Sequence, residues 1–241
     1  MSPILQLSGI VMAFQGVRAV DGVDLAVNAG EIHGLIGPNG AGKTTVFNLI
    51  TGLVRPARGR TWFQGYDMTH WPPYRRAQAG IARVFQLTQL FRTLTIREHL
   101  ELTGGIDRAA RWIDTWDLGG WLSRRPPELP HGVARHVELM LALSMPSRLL
   151  LLDEPAAGLT MQERERLGTV LKEFMATGDH TVMVVEHDLT WTLGLVTRLT
   201  VLDRGRVIAH GDPQTVATSD AVRKAYLGEE REGFGAKFRV E

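Results

Sequence analysis

The sequence predicts an α/β chain built on a mostly parallel sheet, and three observations carry that expectation. The short apolar run Leu149–Leu152 reads as a strand covered on both faces, and Thr181–Val185 as a further strand. Stretches with apolar residues at helical spacing stand between them, as in Met161–Met175 and Leu189–Val196. Strands alternating with helices require right-handed crossovers, which leave ligands at the carboxyl ends of the strands.

The elements follow in order. Ile4–Phe14 and Arg18–Val27 read as strands separated by Gln15-Gly16, which predicts an N-terminal antiparallel β subdomain. Glu31–Ile36 is a third strand and runs straight into a glycine-rich loop. After the loop, Thr45–Leu53 places Val46, Leu49, Ile50 and Leu53 on one helical face; Arg55-Pro56 ends that helix before a strand pair around Thr61–Phe63. Ile81–Phe85 reads as a buried strand. From Thr95 to Trp116 the pattern is helical, Arg124-Arg125-Pro126-Pro127 breaks it, and a further helix runs from Gly132 to Ser144. A last strand covers Leu199–Leu202. This order predicts a core formed by residues 1–86 and 146–227, a short inserted helical subdomain at 87–145, and a glycine-rich, charged tail at 228–241 that reads as a loosely attached end.

Composition narrows the class. Of 241 residues, 44% are hydrophobic and 22% charged, which is ordinary for a folded globular chain and excludes a disordered one. Lys and Arg number 27 against 26 Asp and Glu, and the resulting +1 offers no general attraction to nucleic acid or anionic lipid. Anion binding must be local. With no cysteine, disulfides and thiolate metal sites are excluded. Met1–Gln6 has neither a basic start nor an apolar stretch, and no apolar run reaches the roughly 18 residues of a membrane-spanning helix. The expectation is a cytosolic chain that reaches a membrane only through a partner.

The local anion site is Gly37-Pro38-Asn39-Gly40-Ala41-Gly42-Lys43-Thr44, followed by Thr45. In G-x-x-x-x-G-K-[ST], glycines let backbone N–H groups turn inward around phosphates while the next helix directs its positive end at the same charge. Lys43 is expected to reach the β- and γ-phosphates and the Thr44 hydroxyl to ligate Mg²⁺. A strand–loop–helix with this motif predicts a P-loop NTPase core using ATP. Asp153, closing the apolar run Leu149–Leu152, is the expected carboxylate for the metal shell. Glu154 follows it, placed to polarise a water for attack on the γ-phosphorus. Gln86 and His187 each follow an apolar strand and so project from the same edge, where they can sense the γ-phosphate, its water and its metal. Phe14 ends the first strand; stacked on adenine it would contribute about 1–3 kcal/mol, and as a lone aromatic it reads equally as core.

The order of loop, Gln86, helical segment, Leu129-Pro130-His131-Gly132-Val133, Asp153-Glu154 and His187 resembles the ATP-binding-cassette ATPases over nearly the whole chain. Within that family it is most similar to the ATP-binding subunits of importers for branched-chain amino acids and related amides or urea. The stretches that carry this are Gly37–Phe47, Gly80–Gln86, Leu152–Leu159, Glu186–Leu189 and Ala225–Glu229. The resemblance implies a second cassette, identical or different, that pairs head to tail with this one. It also implies transmembrane permease subunits, an extracytoplasmic solute-binding protein, and a peripheral position on the cytoplasmic face of the plasma membrane. Catalysis would fall to Glu154, His187, Gln86 and Lys43, and the metal to Thr44, Gln86 and Asp153, with Gly132 meeting the partner's nucleotide in trans.

One segment departs from the family pattern. The family reads L-S-G-G-Q where this chain has Leu129-Pro130-His131-Gly132-Val133, so the serine hydroxyl is missing and the Gly132 backbone at a helix start remains. A working variant and a degenerate half-site in an asymmetric heterodimer both follow. The step from Gln86 to Leu129 is also shorter than the subfamily usually has. A cassette acting on DNA or ribosomes would need a long coiled coil or a second cassette, and neither is in the sequence; its neutral charge also argues against nucleic acid. A regulatory ATP-binding module without turnover is opposed by Glu154 and His187.

Overall fold

The computed structural model of the chain describes residues 3–85 and 90–227. Backbone pairing divides their strands between two sheets. β1 (Leu5–Phe14) and β2 (Val17–Val27) form the hairpin expected around Gln15-Gly16. After β3 (Ile32–Ile36), strands β4 (Arg58–Phe63) and β5 (Tyr66–Asp67) extend that hairpin into an antiparallel sheet of order β2-β1-β4-β5. β3 itself belongs to the second sheet, with β6 (Ile81–Val84), β7 (Leu149–Asp153), β8 (Thr181–Glu186), β9 (Arg198–Asp203) and β10 (Arg206–Gly211). The order there is β10-β9-β3-β8-β7-β6, parallel throughout except for β10, which folds back on β9. The α/β, mostly parallel expectation and the antiparallel N-terminal sheet are both met.

Strand alternation sorts the core into two clusters on opposite faces of the parallel sheet. Leu149 and Leu151 join Leu35, Met183 and Val185 against α1 (Lys43–Thr51), whose Val46, Phe47, Leu49 and Ile50 are buried beneath the antiparallel sheet. Leu150 and Leu152 join Val84, Val182 and Val184 on the other face. There they meet α3 (Ile96–Thr103), α4 (Ile106–Thr115), α5 (His131–Ser144) and α6 (Met161–Ala176). Helices α3–α6 therefore share one continuous apolar cluster with the sheet. α3 and α6 start on the same device: Thr95 and Thr160 each accept the N–H of a glutamate three residues on, which bonds back.

Two expectations change. The single helical stretch from Thr95 to Trp116 is two helices, because Gly104 (φ 144°) and Gly105 (φ 88°) leave the helical region and both donate to Leu100 O, closing α3. Several elements went unread: α2 (Pro73–Gln78), β10 and α8 (Pro213–Ala217), which are short, and α9 (Asp220–Leu227), the last two following α7 (Leu189–Leu195) and the β9–β10 hairpin.

The only buried residue of α2 is Arg76, 1% exposed. Its Nη1 donates to Leu49 O (2.6 Å), which also accepts the capping Gly52 N–H, and to Ile50 O (2.9 Å), carbonyls of the last turn of α1. Nη2 donates to Met68 O (2.8 Å) and Thr69 O (3.2 Å), and Nε to Trp71 O (3.1 Å). Burial pushes its pKa down to about 10, which leaves it charged at neutral pH. A cation at the negative end of α1 complements the helix dipole. It also fixes the far end of the helix whose near end is the glycine loop.

Candidate active site

The loop from Gly37 to Gly42 leaves β3 and enters α1. Glycine is required where the loop is squeezed: a Cβ at Gly42 (φ 105°) would lie 2.4 Å from Ala19 O, and one at Gly37 2.1 Å from Leu202 O. The chain therefore passes tightly against β2 and β9. Gly42 caps α1 without a side-chain hydrogen bond, and the first turn of α1 carries no acidic residue, so nothing there neutralises the positive helix end. Lys43 is buried and its Nζ donates to Gly37 O (2.6 Å) and Pro38 O (2.9 Å), which holds the ammonium over the loop. Asn39, Gly40 and Thr44 are exposed; Thr45 is half-buried.

The parallel register delivers the other groups to the same sheet edge. Ile36 lies beside Glu186 and Asp153 beside Val185, so the loop, Asp153, Glu154 and His187 all leave the carboxyl ends of adjacent strands. Asp153 is buried, and its Oδ2 accepts from Arg83 Nη2 at 2.7 Å. Glu154 adopts a left-handed backbone (φ 49°), a strained conformation for a non-glycine residue, and is held there by its N–H donating to Val185 O (2.9 Å). Its Oε1 stands 3.9 Å from Nδ1 of the exposed His187. Phe14 is 45% exposed at the tip of the β1–β2 hairpin, and Gly132 is exposed in the first turn of α5. Gln86 lies outside the described residues.

Three polar residues organise this edge that the sequence reading did not single out as functional. Arg83 interrupts an apolar strand, which was a legible signal. Glu186 ends one: it is 1% exposed and its Oε1 accepts the Ala156 N–H at 2.9 Å, fixing the turn that follows Glu154. Arg135 of α5 donates to Phe85 O (3.1 Å), Glu154 O (3.4 Å) and Glu138 Oε2 (3.1 Å). Nothing in the sequence distinguishes it from a surface arginine. Through it the helix that begins at His131 touches both the backbone before Gln86 and the backbone of Glu154.

Burial raises the Glu186 carboxyl above its ordinary value of 4.5; the Ala156 N–H and His187 oppose this, and the Glu154 charge adds to it. A carboxyl with a raised folded-state pKa stabilises fully below the unfolded value, and that contribution is lost as pH rises through the folded one. Glu186→Gln keeps an acceptor for Ala156. It is expected to unfold at a higher temperature than the wild type at about pH 8, the gap closing toward the unfolded-state pKa. Thermal unfolding across that range measures it; a constant gap would exclude the titration.

Among the described residues no three His, Cys, Asp or Glu side chains gather as a metal site. A hydroxyl at Thr44 and one carboxylate at Asp153 nonetheless fit Mg²⁺, which favours hard oxygen donors and is commonly held by one or two carboxylates together with substrate phosphates.

A family model described as ABC transporter matches residues 20–157, more than half of the chain. The chain belongs to the ABC transporter ATP-binding family. A second model, described as branched-chain amino acid ATP-binding cassette transporter, matches residues 206–232 of this cassette. The cassette is 34% identical to the high-affinity branched-chain amino acid transport ATP-binding protein LivG of Escherichia coli K12, over 94% of this chain and 98% of that protein. BraF of Pseudomonas aeruginosa, with the same descriptive name, is 33% identical over the same shares. Among solved structures, the ADP conformation of an ATP-binding cassette of an ABC transporter superposes with a TM-score of 0.84 at 29% identity, covering 95% of this chain and 100% of that one. A nucleotide-free cassette from an ABC transporter gives 0.83, also at 29%, covering 94% and 99%. As an ABC ATPase, the cassette binds and hydrolyses ATP. No helix among the described residues is long and apolar enough to cross a membrane.

Proposed function

We propose that this cassette powers an importer for branched-chain amino acids or a related small solute, working peripherally on the cytoplasmic face of the membrane. The observation that carries this reading is the branched-chain amino acid cassette model at residues 206–232, beyond the nucleotide-site motifs that many cassettes share. The 34% identity to LivG over nearly the full length supports it. The implied assembly contains a second cassette, membrane permease subunits and an extracytoplasmic solute-binding protein.

In this reading the loop from Gly37 to Thr45 wraps the phosphates and Lys43 exchanges its loop carbonyls for the β- and γ-phosphate oxygens. Thr44 and Asp153 would hold Mg²⁺, joined by Gln86; when bound, the ion neutralises phosphate charge. Phe14 stacks on adenine. Glu154 accepts a proton from the attacking water, and His187, 3.9 Å away, steadies that carboxylate and meets the γ-phosphate. ATP draws the two cassettes together across Gly132, and loss of the γ-phosphate releases them. Gln86, the next residue in sequence after Phe85, whose carbonyl Arg135 holds, relays the nucleotide state toward the permease.

Pro130, His131 and Val133 in place of the family's serine, glycine and glutamine favour a second, narrower reading of asymmetric hydrolysis with an unlike partner. The test is uptake by vesicles reconstituted with this cassette, its partner cassette and their membrane subunits. ATP-driven accumulation of labelled leucine, isoleucine or valine is expected, and Lys43→Ala should abolish it. Vigorous ATP hydrolysis that the membrane subunits never alter, with no uptake of these or related amides, would overturn the assignment.

A further inference from the structure

Arg83 occupies the third position of β6, in register with Leu151. Its side chain thus lies on the face that Asp153 takes two residues further along β7, the face on which α1 packs. One guanidinium spans these three elements. Nη2 donates to Asp153 Oδ2 at 2.7 Å and Nη1 to Asn48 Oδ1 at 2.7 Å, with Thr51 Oγ1 at 3.5 Å. Asn48 and Thr51 follow Thr44 at helical spacing, so the arginine sits along the helix face that carries the expected metal ligand. Its Cζ lies over the rings of Phe47 (5.5 Å) and Phe85 (4.6 Å), and the Arg83 and Asp153 side chains are each 5% exposed.

Stability alone is a poor account of this pair. Burying two charges costs most of what their attraction returns, and Arg83 Nε is buried with no hydrogen-bond partner among the described residues. The position is more telling: the cation is bound to the carboxylate expected to serve the metal. We infer that Arg83 is the resident counterion of Asp153 and makes divalent-metal binding conditional on nucleotide. With Oδ2 committed to the guanidinium, and no group of three His, Cys, Asp or Glu side chains gathered as a metal site among the described residues, a free divalent cation is held too weakly to stay. Triphosphate oxygens supply what is lacking, so metal enters and leaves with the nucleotide. Arg83 is a positioning residue in this scheme, since it acts on the metal through Asp153.

The inference depends on the assignment of Asp153 to the Mg²⁺·ATP site, and its test separates the two. Mn²⁺ binding to the purified cassette is followed by electron paramagnetic resonance with no nucleotide and with a non-hydrolysable ATP analogue. The wild type should hold Mn²⁺ tightly only with the analogue. Arg83→Met should tighten nucleotide-free Mn²⁺ binding by at least about tenfold, the unpaired carboxylate now attracting the ion. Arg83→Lys should restore wild-type behaviour, and Arg83→Met combined with Asp153→Asn should erase the gain. Unchanged nucleotide-free affinity in Arg83→Met, or a gain that survives Asp153→Asn, overturns the proposal. If Arg83→Met does not fold, Arg83→Gln carries the same test: nucleotide-free Mn²⁺ bound more tightly than by the wild type sustains the proposal, and unchanged affinity refutes it. A wild type that binds the analogue with no metal preference would instead remove the metal site itself.

Discussion

Glu154→Gln is expected to lower ATP turnover by about 10²–10⁴-fold, the usual contribution of a positioned general base, while nucleotide affinity stays near that of the wild type. The change is nearly isosteric and leaves in place the backbone contacts that fix the residue. Those run through its backbone: the N–H on Val185 O and the carbonyl under Arg135. What is lost is a proton acceptor 3.9 Å from His187, at a strand end shared with the loop. Single-turnover phosphate release, read beside fluorescent-nucleotide binding, checks both halves. Turnover within a few-fold of the wild type would assign the base elsewhere.

Arg76→Ala should be the most destabilising single substitution outside the apolar core. Five carbonyls from the end of α1 and the segment from Met68 to Trp71 lose a charged donor together. Leu49 O and Met68 O keep the Gly52 and Trp71 N–H groups, so the loss falls on Ile50 O, Thr69 O and Trp71 O; each buried acceptor left unpaired costs about 1–3 kcal/mol, and since such losses are not additive, about 3–5 kcal/mol in total is expected. For a chain of this size that lowers the melting temperature by about 10 °C. Arg76→Lys should recover only part of it, because one ammonium cannot reach the three groups of carbonyls that the planar guanidinium spans. Thermal unfolding of both variants measures this. A loss below about 1 kcal/mol in Arg76→Ala would mean that water satisfies those carbonyls.

The contrast between these two residues explains what the sequence discloses. Glu154 was legible because its neighbours are: a glycine loop whose spacing is set by phosphate geometry, and an apolar run whose end must lie at a sheet edge. Fold class and the antiparallel N-terminal sheet followed from period and punctuation in the same way. Arg76 was not legible, because six residues of α2 with one buried side chain have no apolar stripe, and an arginine that binds only carbonyls leaves no partner to find in the sequence. The same holds for Arg135, whose acceptors at Phe85 and Glu154 are backbone atoms. Gly104-Gly105 was visible, yet a helical pattern on both sides masked the break.

The cluster joining α3–α6 to one face of the parallel sheet also constrains motion. Trp112, Trp116, Val137 and Met140 lie in the same apolar body as Val84, Leu150 and Leu152. Swinging those helices away would expose that surface at about 25 cal/mol per Å². Displacement is therefore confined to shear, with side chains sliding over one another in steps of an ångström or two while the contact stays dry. In the proposed importer, a cassette built this way would pass force to a partner docked on those helices as a small, stiff stroke, with amplitude set by side-chain packing.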